Sequence, residues 1–137
     1  MKLNPYLHFN GRCKEAFEFY HKCLGGDIVF MMTYGDTPTA DQSPEGMRDA
    51  IIHARLIVGD AVLMGSDSPP QFYSAPGGFT NTLVVDTAEE AERLFVALSE
   101  NATVTTPMEE NFFAIRFGSL DDQFGMPWMV ICEKSMG

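Results

Sequence analysis

Two stretches of this chain can be laid over one another, and that repetition limits the fold more than any other feature. Leu7 through Phe30 overlays Leu83 through Thr106 at a constant offset of 76 (83 − 7). The overlay sets Asn10 on Asp86, Phe19 on Phe95, and Gly25 on Asn101. In both halves the pattern reads strand, helix, then three strands, which is the mark of a duplicated supersecondary unit. The expected fold class is α+β, with two βαβββ modules at about 1–67 and 79–137, joined by a connector at 68–78. Together they would form a single domain of curled, mixed sheets. Each helix would cover the convex side and leave a concave face for a ligand.

Local signals place the elements. Ala16, Phe19, Tyr20, Cys23 and Leu24 recur at i, i+3, i+4, i+7 and i+8, so Cys13 to Leu24 is an amphipathic helix. Gly25-Gly26 stops it. Thr87-Ala-Glu-Glu90 is a capping box that opens a second helix, with Ala91, Leu94, Phe95 and Leu98 on one face. Asp49 to Val58 and Ala61 to Ser66 flank Gly59-Asp60 and read as a hairpin. Further strands are expected at Asn4–Asn10, Asp27–Tyr34, Phe79–Val85, Thr103–Met108, Phe112–Gly118 and Trp128–Glu133. Gly35 to Gly46 and the segment through Pro69, Pro70 and Pro76 read as loops.

Composition narrows the class of partner. Nineteen acidic residues against nine basic ones give a net charge of −10. Nucleic acid and anionic membrane both require a basic footprint, so neither is expected. No apolar run approaches the roughly 18 residues of a membrane span. Cys13, Cys23 and Cys132 are three, widely spaced and without a CxxC pair. They read as reduced buried thiols in a cytoplasmic protein.

Several segments resemble one family: Pro5-Tyr-Leu-His-Phe-Asn-Gly-Arg-Cys13, Ala16-Phe-Glu-Phe-Tyr20, His53-Ala-Arg-Leu56, Leu63-Met-Gly-Ser-Asp67 and Asp122-Gln-Phe-Gly-Met-Pro-Trp-Met129. In this order, over essentially the whole chain, they are similar to the PhnB-like branch of the glyoxalase/bleomycin-resistance/dioxygenase (vicinal oxygen chelate) superfamily. That resemblance implies the paired βαβββ fold, a homodimer and a small-molecule site on the concave face. It also implies where metal-dependent members place their four His, Glu or Gln ligands. Aligned through Phe19-Tyr20, those positions fall on Pro5, Met64, Thr80 and Met129 or Val130. None supplies the nitrogen or carboxylate donor that such divalent chemistry needs. The expectation is therefore a metal-independent protein with no cofactor. Some relatives carry the label demethylubiquinone methyltransferase. A methyltransferase of the doubly wound kind needs a glycine-rich loop between strand and helix. Gly25-Gly26 follows a helix and Gly77-Gly78 precedes a strand, so that activity is rejected.

The candidate ligand-binding residues are His53, Met64, Thr80, Thr82, Phe113 and Trp128, with Leu7, Phe9, Val62 and Ser66 sharing the concave face by alternation. They form an apolar and aromatic wall with a few hydroxyls, the usual makeup of a small-molecule pocket. Packing alone would also account for each apolar one. Arg55 shares the face of His53 and could meet an anionic ligand or Asp67. His8 is expected to face the helix, and His21 to be a solvated surface residue. No nucleophile triad can be assembled, and no catalytic residue is assigned. The leading expectation is a protein that binds an apolar or aromatic small molecule without metal. The alternatives are a metal-dependent lyase, isomerase or dioxygenase with a non-standard site near His53, and a structural dimer whose cavity is vestigial.

Overall fold

The computed structural model describes residues 1–135. Two compact units divide the chain, Met1–Ser74 and Ala75–Gly137. In the first, β1 (Tyr6–Phe9), α1 (Cys13–Leu24), β2 (Asp27–Thr33), β3 (Ile51–Val58) and β4 (Ala61–Asp67) follow in order. In the second, β5 (Asn81–Val84), α2 (Ala88–Leu98), β6 (Thr103–Glu109), β7 (Ala114–Asp121) and β8 (Pro127–Glu133) repeat that order. The sheets have identical topology, β1-β4-β3-β2 and β5-β8-β7-β6. Each joins its first and last strands in parallel and the remaining pairs antiparallel. The expected α+β fold with two βαβββ modules is the observed one. The offset of 76 carries β2 onto β6 residue for residue, since 27 + 76 = 103 and 33 + 76 = 109.

The helices begin by different means. At α2 the cap is local: the Thr87 hydroxyl accepts from the Glu90 N–H at 3.2 Å, as the capping box predicts. Arg12 at the N-cap of α1 makes no side-chain cap. Its place is taken from across the fold by Asp67, at the end of β4 and 1% exposed. One Asp67 oxygen accepts from the Cys13 N–H at 3.0 Å and the other from the Ile51 N–H at 2.9 Å. The same residue's backbone carbonyl accepts from the Tyr34 hydroxyl at 3.0 Å. One buried carboxylate thus ties the start of α1 and the start of β3 to β4. It also sets negative charge at a helix N-terminus, where the peptide dipoles favour it. The expected pairing of Arg55 with Asp67 is not made, because Asp67 faces the helix and Arg55 the opposite side of the sheet.

Small residues let each helix close on its sheet. A Cβ on Gly65 would stand 2.7 Å from a Phe17 ring carbon and 2.9 Å from the Leu7 carbonyl oxygen. In the second unit, a Cβ on Gly118 would stand 2.8 Å from a ring carbon of Phe95. The helix-facing side therefore holds Leu7, Phe9, Ala54, Leu56, Leu63 and Gly65 in the first sheet. In the second it holds Gly118, Leu120, Trp128, Val130 and Cys132.

Replacing Asp67 with Ala leaves two buried N–H donors without an acceptor. Each orphaned donor costs on the order of 1–3 kcal/mol, so urea denaturation should show a loss of about 3 kcal/mol. A loss below about 1 kcal/mol would contradict the linking role. Burial, with a smaller contribution from the Asp67 charge, pushes the Cys13 thiol well above its ordinary range. Tyr34 is raised too, by desolvation first, then by Asp67 and Tyr6. The Cys13 thiol stays protonated in the folded chain where it would ionise in the unfolded one. Its contribution is complete below the unfolded thiol pKa and is lost as pH rises above it. Urea stability should therefore hold up to about pH 8 and fall from about pH 9 upward, given an unperturbed thiol pKa of about 8.5. The slope should flatten in Cys13→Ala.

Candidate functional site

The side of the first sheet turned away from α1 carries an unusual set of side chains. Strand alternation places Tyr6 and His8 on it from β1, Val62, Met64 and Ser66 from β4, and His53, Arg55 and Ile57 from β3. From β2 come Phe30 and Met32. The register lines up one lateral row across all four strands, Tyr6–Met64–Arg55–Phe30.

Tyr6 reaches over β4, which separates its strand from β3, and its Oη lies 3.0 Å from His53 Nδ1 in a hydrogen bond. The two rings have centroids 5.6 Å apart with planes 25° apart. Phe30 closes on His53 from the other side, centroids 5.6 Å apart. His8 lies 5.2 Å from the Tyr6 ring, and its Nδ1 is 3.4 Å from the Ser68 hydroxyl. A phenol, two imidazoles and a phenyl ring thus form one cluster on a sheet face, with Met32 and Met64 as its apolar flanks. The corresponding face of the second sheet is plainer. Thr80 and Thr82 share a hydroxyl–hydroxyl hydrogen bond of 3.1 Å. Phe113 packs edge-on against Phe117, centroids 5.4 Å apart, and Met129 pairs with Thr82 and Ser119.

Among the sequence candidates, His53 and Met64 sit on the helix-free face of the first sheet. Thr80 leads into β5, and Thr82 and Phe113 belong with the helix-free side of the second. Trp128 does not. It is 2% exposed, pairs with Leu120 on the α2 side, and its Nε1–H donates to Asp122 at 2.8 Å. Leu7 and Phe9 are likewise on the helix side, 2% exposed each. His8, expected to face the helix, lies with Tyr6 on the opposite side. The period of alternation holds in β1 but its phase is the opposite of that counted from Pro5, which lies outside the strand. Tyr6, the residue that bonds His53, was missed for this reason. His21 is exposed on α1, as expected. All three cysteines are free and buried.

The segment Asp122 to Trp128 is explained by the turn between β7 and β8. Asp122 accepts from the backbone N–H groups of Phe124 at 2.8 Å and Met126 at 3.0 Å, as well as from the Trp128 indole. Gly125 takes φ +85°, a left-handed value that this turn requires and that other residues resist. The most recognisable stretch of the sequence therefore holds a corner together.

A divalent ion is the group the resemblance implies, and the donors at the aligned positions do not fit it. Of the aligned positions, Val130 faces α2, and Met64, Thr80 and Met129 bring a thioether, a hydroxyl and a thioether. Among the described residues no group of three or more His, Cys, Asp or Glu side chains could hold a metal ion. The chemistry present is hydrogen bonding, ring stacking and one guanidinium.

Comparison with known proteins bears on the whole chain. A family model described as 3-demethylubiquinone-9 3-methyltransferase matches residues 1–131. Protein YjdN of Escherichia coli (strain K12) is 34% identical over 142 aligned residues, covering 98% of this chain and 97% of YjdN. The crystal structure of protein PA1353 from Pseudomonas aeruginosa superposes with a TM-score of 0.90 at 45% identity, covering 98% of this chain and 99% of that one. At the level of fold alone, a glyoxylase/bleomycin resistance protein/dioxygenase domain from Frankia sp. EAN1pec matches at TM-score 0.70 and 13% identity. That match covers 98% of each chain.

Tyr6→Phe deletes the hydrogen bond to His53 while keeping the ring. The His53 Nδ1 resonance should move in long-range proton–nitrogen spectra, and that of His21 should stay in place. Because both groups are partly solvated, stability should change by less than about 1 kcal/mol. An unmoved His53 resonance would remove the pair from the site.

Proposed function

The chain belongs to the PhnB-like branch of the glyoxalase/bleomycin-resistance/dioxygenase superfamily, and from that premise we propose that it binds an apolar or aromatic small molecule without a metal ion. The observation that carries this reading is the Tyr6–His53–Phe30 cluster, a ring-lined surface with a directed hydrogen bond on the helix-free face of the first sheet. Aromatic walls with a few placed polar groups are what small-molecule sites are made of. Met32 and Met64 beside the rings suit a ligand of irregular outline, since their unbranched side chains adapt. His53 and Met64 remain in the proposed binding set on the first sheet, where Tyr6 and Phe30 join them. Thr80, Thr82 and Phe113 remain candidates on the second sheet's own helix-free face, and Trp128 leaves the set.

The metal-dependent alternative near His53 would need three or more ligands. His8 and His53 are each engaged with Tyr6 or Ser68 and have no carboxylate partner among the hydrogen bonds they make. Methyl transfer is not part of the reading. Gly25-Gly26 leads from α1 into β2, Gly77-Gly78 leads into β5, and both sheets are largely antiparallel. A nucleotide-like methyl donor of the doubly wound type has no strand–glycine loop–helix cradle here. We also place the protein in the cytoplasm as a homodimer, a reading supported by three reduced thiols and by the family's habit of pairing. No helix among the described residues is long and apolar enough to cross a membrane.

The test is a thermal-shift panel of indole, 2-naphthol and related flat apolar molecules on untagged protein, with metal analysis and light scattering on the same sample. At ligand near 100 times Kd, binding should stabilise the fold by about 2.7 kcal/mol. Phe30→Ala, at an exposed position, should abolish the shift without lowering the ligand-free melting temperature. Metal should be substoichiometric and the mass that of two chains. A panel with no stabilising member, or stoichiometric metal, would overturn the reading.

A further inference from the structure

Arg55 is the one charged group within the ring cluster's row, and no described residue neutralises it. Of five arginines, Arg12, Arg93 and Arg116 pair with Glu15, Glu90 and Glu92. Arg48 is exposed at a loop. Arg55 is half-buried on the helix-free face of the first sheet and, among the described residues, forms no hydrogen bond, ion pair or ring contact. A chain with 19 carboxylates could readily have supplied one. Asp27 stands opposite Ile57 on the same face, and no ion pair joins it to Arg55. Asp67 faces the other way and serves Cys13 and Ile51.

A guanidinium cannot shed its proton to escape burial. Holding it half-dehydrated without a partner lowers stability, and an anion arriving from solution would recover that loss. Its planar fork matches a carboxylate through two parallel hydrogen bonds. Its setting selects what else the anion carries. Met64 and Phe30 flank it within the row, and Tyr6 closes the row two strands away, about 10 Å from Arg55 by strand spacing. A flat ring spans that distance. The net charge of −10 weighs against a polyanion, which would need several cations where the row offers one.

We infer that the first sheet's helix-free face takes an aromatic monocarboxylate, its carboxylate on Arg55 and its ring over Met64 toward the Tyr6–His53 pair. This rests on the small-molecule reading above and gives that ligand a charge and an orientation. The probes are 2-naphthoate and its neutral counterpart 2-naphthamide, compared by calorimetry on the full-length protein at low and moderate salt. Naphthoate should bind at least tenfold more tightly than naphthamide. Arg55→Gln should bring naphthoate down to the naphthamide level and leave naphthamide unchanged, and Arg55→Lys should restore part of the preference. Equal binding of the two probes to the wild-type protein would overturn the inference and leave the small-molecule reading standing. So would a naphthoate preference that survives in Arg55→Gln. If neither probe nor 2-naphthol binds, both readings fail together. Should Arg55→Gln not fold, the preference in the wild-type protein and in Arg55→Lys still decides the matter.

Discussion

The first unit is organised around one buried carboxylate. Asp67 ends β4, and from there it caps α1 through Cys13 and receives the start of β3 through Ile51. α1 lies far in sequence from the β3–β4 hairpin that Asp67 ties it to, and without Asp67 the first N–H of α1 would have no partner from Arg12. The position of α1 in turn decides which sheet face is covered. Everything on the other face, the Tyr6–His53 bond included, follows from that placement.

The second unit keeps the frame and changes the fastening. Its helix has a local cap at Thr87, and its buried carboxylate, Asp122, works at the β7–β8 corner instead. Asp122 orients Trp128 toward the core by holding its indole N–H. Freed from tying elements together on their helix-free side, both sheets can present other chemistry there. The first presents rings, imidazoles and a guanidinium, and the second threonines, methionine and phenylalanine. Duplication thus supplied two scaffolds, and the first bears the greater concentration of polar, directed groups.

How far the site could be read from the sequence follows from this arrangement. His53 and Met64 were identifiable because they lie mid-strand within recurrent segments whose pairing the hairpin turn fixes. Leu7, Phe9 and Trp128 were assigned to the wrong face because a strand's pattern has period two and a one-residue error reverses it. Both faces of β8 are largely apolar, so hydrophobicity could not correct the phase there. In β1, with four residues, alternation is too short to correct itself. Tyr6 could have been found by one signal only: Leu7 and Phe9 are more apolar than Tyr6 and His8, which puts the latter pair away from the core.

The amino-acid order by itself determined the elements and their repetition. Helical spacing over Cys13–Leu24, the capping box at Thr87 and the glycine stops are short-range facts, set by backbone geometry and by neighbours a few residues away. The α+β class follows from them, since two such runs must each bury an apolar face. Only the tertiary structure decided which side of each strand meets its helix, that Asp67 would cap a helix some fifty residues before it, and that Arg55 would stand without a partner among the described residues. Those outcomes depend on contacts between distant segments, where a close approach at Gly65 or Gly118 selects one face and excludes the other. Local pattern contains the period of a strand. Its phase is a property of what packs against it.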